Sequence, residues 1–200
     1  MITGQDGVVR LDDATVTTLL DPGSGDLDPR VLGDLDAAGV LAAVETIRRP
    51  LVSVEVVVAG AALQAHRALV DPERAVLLLA VRPGLHQLMV VPPSHLAAAI
   101  VRMTRTGPRR SSGSRSRPAP DDAAARLLAE DDEARLGVLR EVGAPLGWRL
   151  RVRWDGDHRD LVVLDCADGW HVLDEEEGAL LPTSATTLYR VFSTALPPAV

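Results

Sequence analysis

No lysine occurs in the 200 residues; all 21 basic side chains are arginine. That absence removes the Walker A lysine, the Schiff-base lysine of pyridoxal phosphate chemistry and the ATP lysine of protein kinases. Cysteine is nearly absent too. Cys166 stands alone, so the expectation is that neither an intrachain disulfide nor a cysteine-based zinc site is possible. Aromatics are limited to Trp 3, Tyr 1 and Phe 1, all after residue 147, so the core must be largely aliphatic. No apolar run approaches the roughly 20 residues of a membrane helix. The opening MITGQDGVVRLDD lacks a basic segment followed by an apolar one. The expectation is a cytoplasmic protein with no membrane insertion.

Hydrophobic content of 46% is that of a globular chain able to bury a real core. The net charge of -7 repels phosphate backbones, so nucleic-acid binding would rest on a local basic segment. One such segment exists. TGPRRSSGSRSRPAPDD, residues 106–122, has no acid before Asp121, and Arg102, Arg105, Arg109, Arg110, Arg115 and Arg117 lie in and around it. No large apolar side chain lies between Met103 and Leu127, so the stretch reads as a flexible, solvated connector. The competing reading is a nucleic-acid-binding arm, which would lack the aromatic platforms that RNA recognition normally uses.

Asp28 and Pro29 predict a helix start, with Leu32, Leu35, Leu41, Val44 and Ile47 as its apolar stripe and Pro50 as its end. LVSVEVVV alternates Val52, Val54, Val56 and Val58 against Ser53 and Glu55, which predicts a half-buried strand. LQAHRALV, AVLLLAVR and LHQLMVVP continue as strands around the turns DPER and PG, and Ser94 would cap a helix over Leu96, Ile100 and Met103. Further on, Asp121 and Asp122 open an acidic helix that stops at Gly143 and Pro145. WRLRVRW, DLVVLDCA and WHVL are strands joined by DGDH and DG, and Thr183 or Ser184 caps a last amphipathic helix through Leu196. The glycines of DPGSGD form a plain turn, because no G-K-[ST] follows.

Two segments share one pattern of strand, two-residue turn, strand, proline, serine and amphipathic helix: VLLLAVRPGLHQLMVVPPSHLAAAIVRM and LVVLDCADGWHVLDEEEGALLPTSATTLYRVF. The expected fold is α+β, a mostly antiparallel central sheet built from two pseudo-symmetric β-meander-plus-helix units and flanked by helices. Residues 1–200 form one domain, with a first half over 28–105, the linker over 106–122 and a second half over 123–200.

The five histidines, His66, His86, His95, His158 and His171, show no recognised metal spacing. Cys166 reads as a small semi-buried side chain, no G-x-S-x-G elbow surrounds any serine, and the acids at 174–177 read as a solvated loop. A hydrolase would need a pocket converging on Cys166 or a histidine. The expectation is therefore no enzyme, no cofactor and no metal site. Trp154, Trp170, Tyr189 and Phe192 fit either an interface or a small core.

Taken together, the meander VSVEVVVAGAALQAHRALVDPERAVLLLAVRPGLHQLMVVPPSHLAAAIVRM, the connector, and DLVVLDCADGWHVL before the final helix resemble the EspG family of ESX (type VII) secretion-associated proteins of actinobacteria. The likeness covers roughly residues 28 to 196 and lies in strand order, the R-A-L-V hairpin and the D-G-W-x-V turn. It implies a cytosolic chaperone or adaptor that binds helical secretion substrates and keeps them soluble for export. By fold position it places the contact at Asp71, Pro72, Glu73 and Arg74, the sheet face with Trp154 and Trp170, and the last helix with Tyr189 and Phe192. A homodimer through an edge strand remains open, and a nucleic-acid-associated regulator using the arginine segment is the alternative.

Overall fold

The computed structural model describes residues 3–5, 8–21, 27–109 and 115–194. The DPGSGD turn, Arg110 and the end of the last helix at Ala195 and Leu196 fall wholly or largely outside them. The first half contributes strands β1 (Thr3–Gln5), β2 (Val8–Leu11), β3 (Val52–Ala59), β4 (Leu63–Val70), β5 (Ala75–Arg82) and β6 (Leu85–Val91). Its helices are α1 (Asp13–Leu20), α2 (Pro29–Ala37), α3 (Ala43–Arg48) and α4 (Leu96–Thr104). The second half contributes β7 (Arg117–Pro118), β8 (Leu146–Trp154), β9 (Asp157–Cys166), β10 (Gly169–Asp174) and β11 (Ala179–Thr183). Its helices are α5 (Ala123–Leu127), α6 (Asp132–Val142) and α7 (Ala185–Ser193).

All strands join one sheet in the order β1-β2-β6-β5-β4-β3-β8-β9-β10-β11-β7, and every pairing is antiparallel. The α+β expectation holds. The order is mirrored about the β3–β8 join, where Val52 faces Trp154 and Ala59 faces Gly147. The repeat is also longer than the sequence pattern suggests. In each half an outer strand (β2, itself flanked by the edge strand β1, or the edge strand β7) precedes the helices, a four-strand meander follows, and a final helix closes the unit.

Three apolar clusters hold the layers together. On one face, the alternating valines of β3 bury against Trp148, Leu150 and Val152 of β8, under Leu96 and Ile100 of α4 and Leu188 and Phe192 of α7. Trp148 and Phe192 pack with ring centroids 5.6 Å apart and tilted by 55°. Burying each such side chain contributes about 1.5–3 kcal/mol. On the opposite face, α1, α2 and α3 cover β5 and β6 through Leu19, Leu35, Ile47 and Leu88. There α5 and α6 cover β9 and β10 through Leu127, Val138, Leu164 and Leu173.

Several helix boundaries differ from the sequence reading. Asp28 caps α2, accepting the Arg30 N–H at 2.8 Å with Pro29 in the first turn. The helix then breaks, because Gly39 adopts φ +69°, a left-handed conformation that favours glycine, and α3 is a separate short element. The acidic stretch likewise divides at 128–131, and Asp131, not Asp121 or Asp122, caps α6 by accepting the Ala134 N–H. Ser94 lies in a 3₁₀ turn (Pro93–His95) and caps nothing, since α4 begins at Leu96 without a side-chain cap. Ser184 does cap α7, accepting the Thr187 N–H at 3.1 Å.

The arginine segment is corrected at both its described ends. Thr104 and Thr106 are buried, the Trp170 indole donates to the Gly107 carbonyl at 3.2 Å, and β7 adds an edge strand beside β11. Its described ends pack without large apolar groups because backbone carbonyls and arginine guanidinium groups make the contacts instead.

Candidate partner-binding surface

The turn between β4 and β5 is built by Asp71. One carboxylate oxygen accepts the Glu73 and Arg74 N–H groups, each at 2.8 Å, and the other accepts the Thr46 hydroxyl at 2.5 Å. Partial burial alone would raise the Asp71 pKa. The Thr46 hydroxyl, the two N–H groups and the Arg74 charge outweigh it and hold the carboxyl below its ordinary range. The turn is thereby pinned to α3, with Pro72 and Glu73 projecting into solvent.

Register places this turn at the same sheet end as Trp154. Val52 faces Val70, just before the turn, and on its other side faces Trp154. Trp154 is half-buried beneath Arg159, whose guanidinium lies 5.3 Å over the indole and donates to the Thr194 carbonyl just beyond α7. Two clefts open at this end. One of about 790 Å³ is lined by Leu41, Arg48, Arg49, Asp71, Glu73 and Arg74, among others. Another of about 450 Å³ includes Pro50, Leu51, Arg153, Trp154 and His158. Leu51 is 54% exposed and Leu41 39%, so the rim pairs apolar side chains with charge.

The structure therefore gathers Asp71, Pro72, Glu73, Arg74 and Trp154 at one end. Trp170 and Phe192, each 1% exposed, are core residues. Tyr189 stays on the outer face of α7, half exposed. Leu51 was missed in the sequence, although its place between Pro50 and the alternating valines puts it outside the strand pattern.

Of the arginines near the connector, Arg109 grips the buried Asp165 with two bonds, at 3.2 and 2.6 Å, and lies 5.7 Å over the Trp170 ring. The hydrogen bond to Asp165, and then its charge, raise the pKa of Arg109 further. Arg117 donates to the Val142 carbonyl at 2.9 Å. Both guanidinium groups are committed to the fold rather than aligned along an open strip. The acids at 174–177 form a turn in which Asp174 accepts the Glu176 and Glu177 N–H groups.

A second feature escaped the sequence reading. The β9–β10 hairpin brings Cys166, Asp168 and His171 together, with their donor atoms all within 4.8 Å of one another. The C-x-D-x-x-H spacing carries this arrangement only because the chain reverses at residues 167–168.

No family model and no curated protein matches the sequence. Among solved structures, the chain is similar to the Mycobacterium tuberculosis type VII secretion system chaperone EspG5, solved in complex with a PE25–PPE41 dimer. The TM-score is 0.57 at 11% identity, over 96% of this chain and 97% of that one. The likeness is one of fold, and it runs through both halves.

Proposed function

We propose that this chain is a cytosolic chaperone or adaptor that binds helical substrates of type VII secretion and keeps them soluble for export. The observation that carries the reading is the likeness of nearly the whole chain to a chaperone solved with its PE25–PPE41 dimer. The rim described above supplies suitable chemistry. A helix end exposes apolar side chains together with unpaired N–H or C=O groups. Leu41 and Leu51 would cover the former, while Glu73 and Arg74, on a turn held rigid by Asp71 and Thr46, would meet the latter. Because the turn is already ordered, little conformational entropy is lost on binding. No helix among the described residues is long and apolar enough to cross a membrane.

The test is a titration with the helical secretion heterodimers encoded in the genome that carries this chain. Leu51→Asp, which places a charge at a desolvated contact, should weaken binding by roughly tenfold or more. Tyr189→Ala, on the exposed outer face of α7, tests whether that face joins the contact as the resemblance implies. Equal affinity for wild type and Leu51→Asp would remove the rim from the interface.

A further inference from the structure

His171 is fully buried, and its two ring nitrogens have different fates. Nδ1 lies 3.2 Å from the Gly169 carbonyl and is placed to donate to it, which leaves the lone pair on Nε2. Nε2 is buried without a hydrogen-bond partner. Its nearest acid is Asp168, at 3.7 Å, beyond hydrogen-bond range. An unsatisfied nitrogen inside a protein is costly, so its orientation asks for an explanation. The same orientation is the one metal-bound histidines adopt, one nitrogen held by a carbonyl and the other presented to the ion.

The neighbours of Nε2 are donors of the right kind. Cys166 is 4% exposed and contributes sulfur, and Asp168 contributes a carboxylate from a side chain 40% open to solvent. We propose that Cys166, Asp168 and His171 bind one zinc-class divalent cation, with a further coordination position left to water. Two donors on a tetrahedral ion with bonds of about 2.0–2.3 Å stand roughly 3.3–3.8 Å apart, the separation found between Asp168 and His171. The wider spread of the set, 4.8 Å, closes with a side-chain adjustment of about 1 Å.

The mixture of thiolate, imidazole and carboxylate selects zinc, cobalt or nickel over magnesium or calcium, which prefer all-oxygen sites. Ligation forms the sulfur–metal bond and releases the thiol proton to solvent. A thiolate and a carboxylate then balance both charges of the ion. Arg117, placed to hydrogen-bond the sulfur, favours the thiolate but repels the cation. It will set affinity below that of an all-anionic site. Asp168 supplies the entry path. The bound ion would fasten the β9–β10 hairpin beneath α6, where the Ala167 N–H already bonds the Gly143 carbonyl at 3.3 Å.

The experiment adds cobalt(II), then zinc(II), to the purified full chain. Expected are one ion retained per chain, a thiolate-to-cobalt charge-transfer absorption that zinc abolishes, and slower alkylation of Cys166 in the presence of zinc. Cys166→Ser should lose the absorption and Asp168→Asn should weaken affinity by roughly tenfold or more. Asp168 is half open, so its variant keeps the test sound if changes at the buried positions disturb folding. No charge-transfer absorption from the wild type would overturn the site, and so would undiminished affinity in Asp168→Asn.

Discussion

Glu55 of β3 stands directly opposite Arg151 of β8, at the join between the two halves. Arg67 faces Glu55 from β4, and Asp160 faces Arg151 from β9, so opposite charges alternate across four strands. The row lies on the sheet face between the α1–α3 and α5–α6 layers. Glu55→Arg would set three like charges side by side. It should destabilise the fold by about 1–2 kcal/mol, since each directly opposed pair is worth up to roughly 1 kcal/mol. Urea unfolding checks this, and the cost should shrink at high salt.

Gly147 lies where α5 presses on the second half of the sheet. A methyl group there would meet Leu164 Cδ2 at 2.8 Å and the two terminal carbons of Leu127 at 3.0 and 3.1 Å. Both leucines are only 1% exposed, so neither can swing into solvent. Gly147→Ala should cost about 1–3 kcal/mol through overpacking, measured as a lower urea midpoint with an unchanged slope. An unaltered midpoint would mean that α5 shifts freely.

His66 links stability to pH. Its Nδ1 accepts the Ala80 N–H at 3.1 Å, a bond only the neutral ring can make. Burial, helped by the His86 charge, lowers its pKa below the ordinary 6.5. The unfolded chain therefore binds the proton more readily, and the stabilisation is complete above pH 6.5 and declines as pH falls below it. Unfolding midpoints at pH 7.5 and pH 5.5 should differ in the wild type. His66→Asn, whose amide oxygen can still accept from Ala80, should show a smaller difference.

Asp165 holds the start of the arginine segment in place. Asp165→Ala frees Arg109 and removes the pair that braces it over Trp170. Trypsin cleavage after Arg109 should then accelerate. Global stability should fall by about 1–3 kcal/mol. Cleavage at the wild-type rate would show that the Trp170 to Gly107 bond suffices alone.

Much of this was legible in residues whose pattern one strand or helix determines. The alternation Val52, Val54, Val56 and Val58, the DPER turn and the Ser184 cap depend on near neighbours, and each folds as its sequence suggests. What escaped depends on partners distant in sequence. Arg117 and Pro118 carry no strand signal, and become a strand only because β11 offers an edge. Trp170 and Phe192 read equally as interface or core until α7 lies over the sheet. Of the candidate surface, the Asp71 turn was readable from its own residues. Leu51 emerged only when the β8–β9 hairpin came beside it.

The most direct test of the chaperone reading is recovery of the tagged full chain from a lysate of the cells that carry it, first near physiological salt and then after a high-salt wash. The account predicts a stoichiometric helical secretion substrate that survives the wash, because an apolar contact is little screened by salt. Nucleic acid that leaves with salt, and no protein partner, would contradict it.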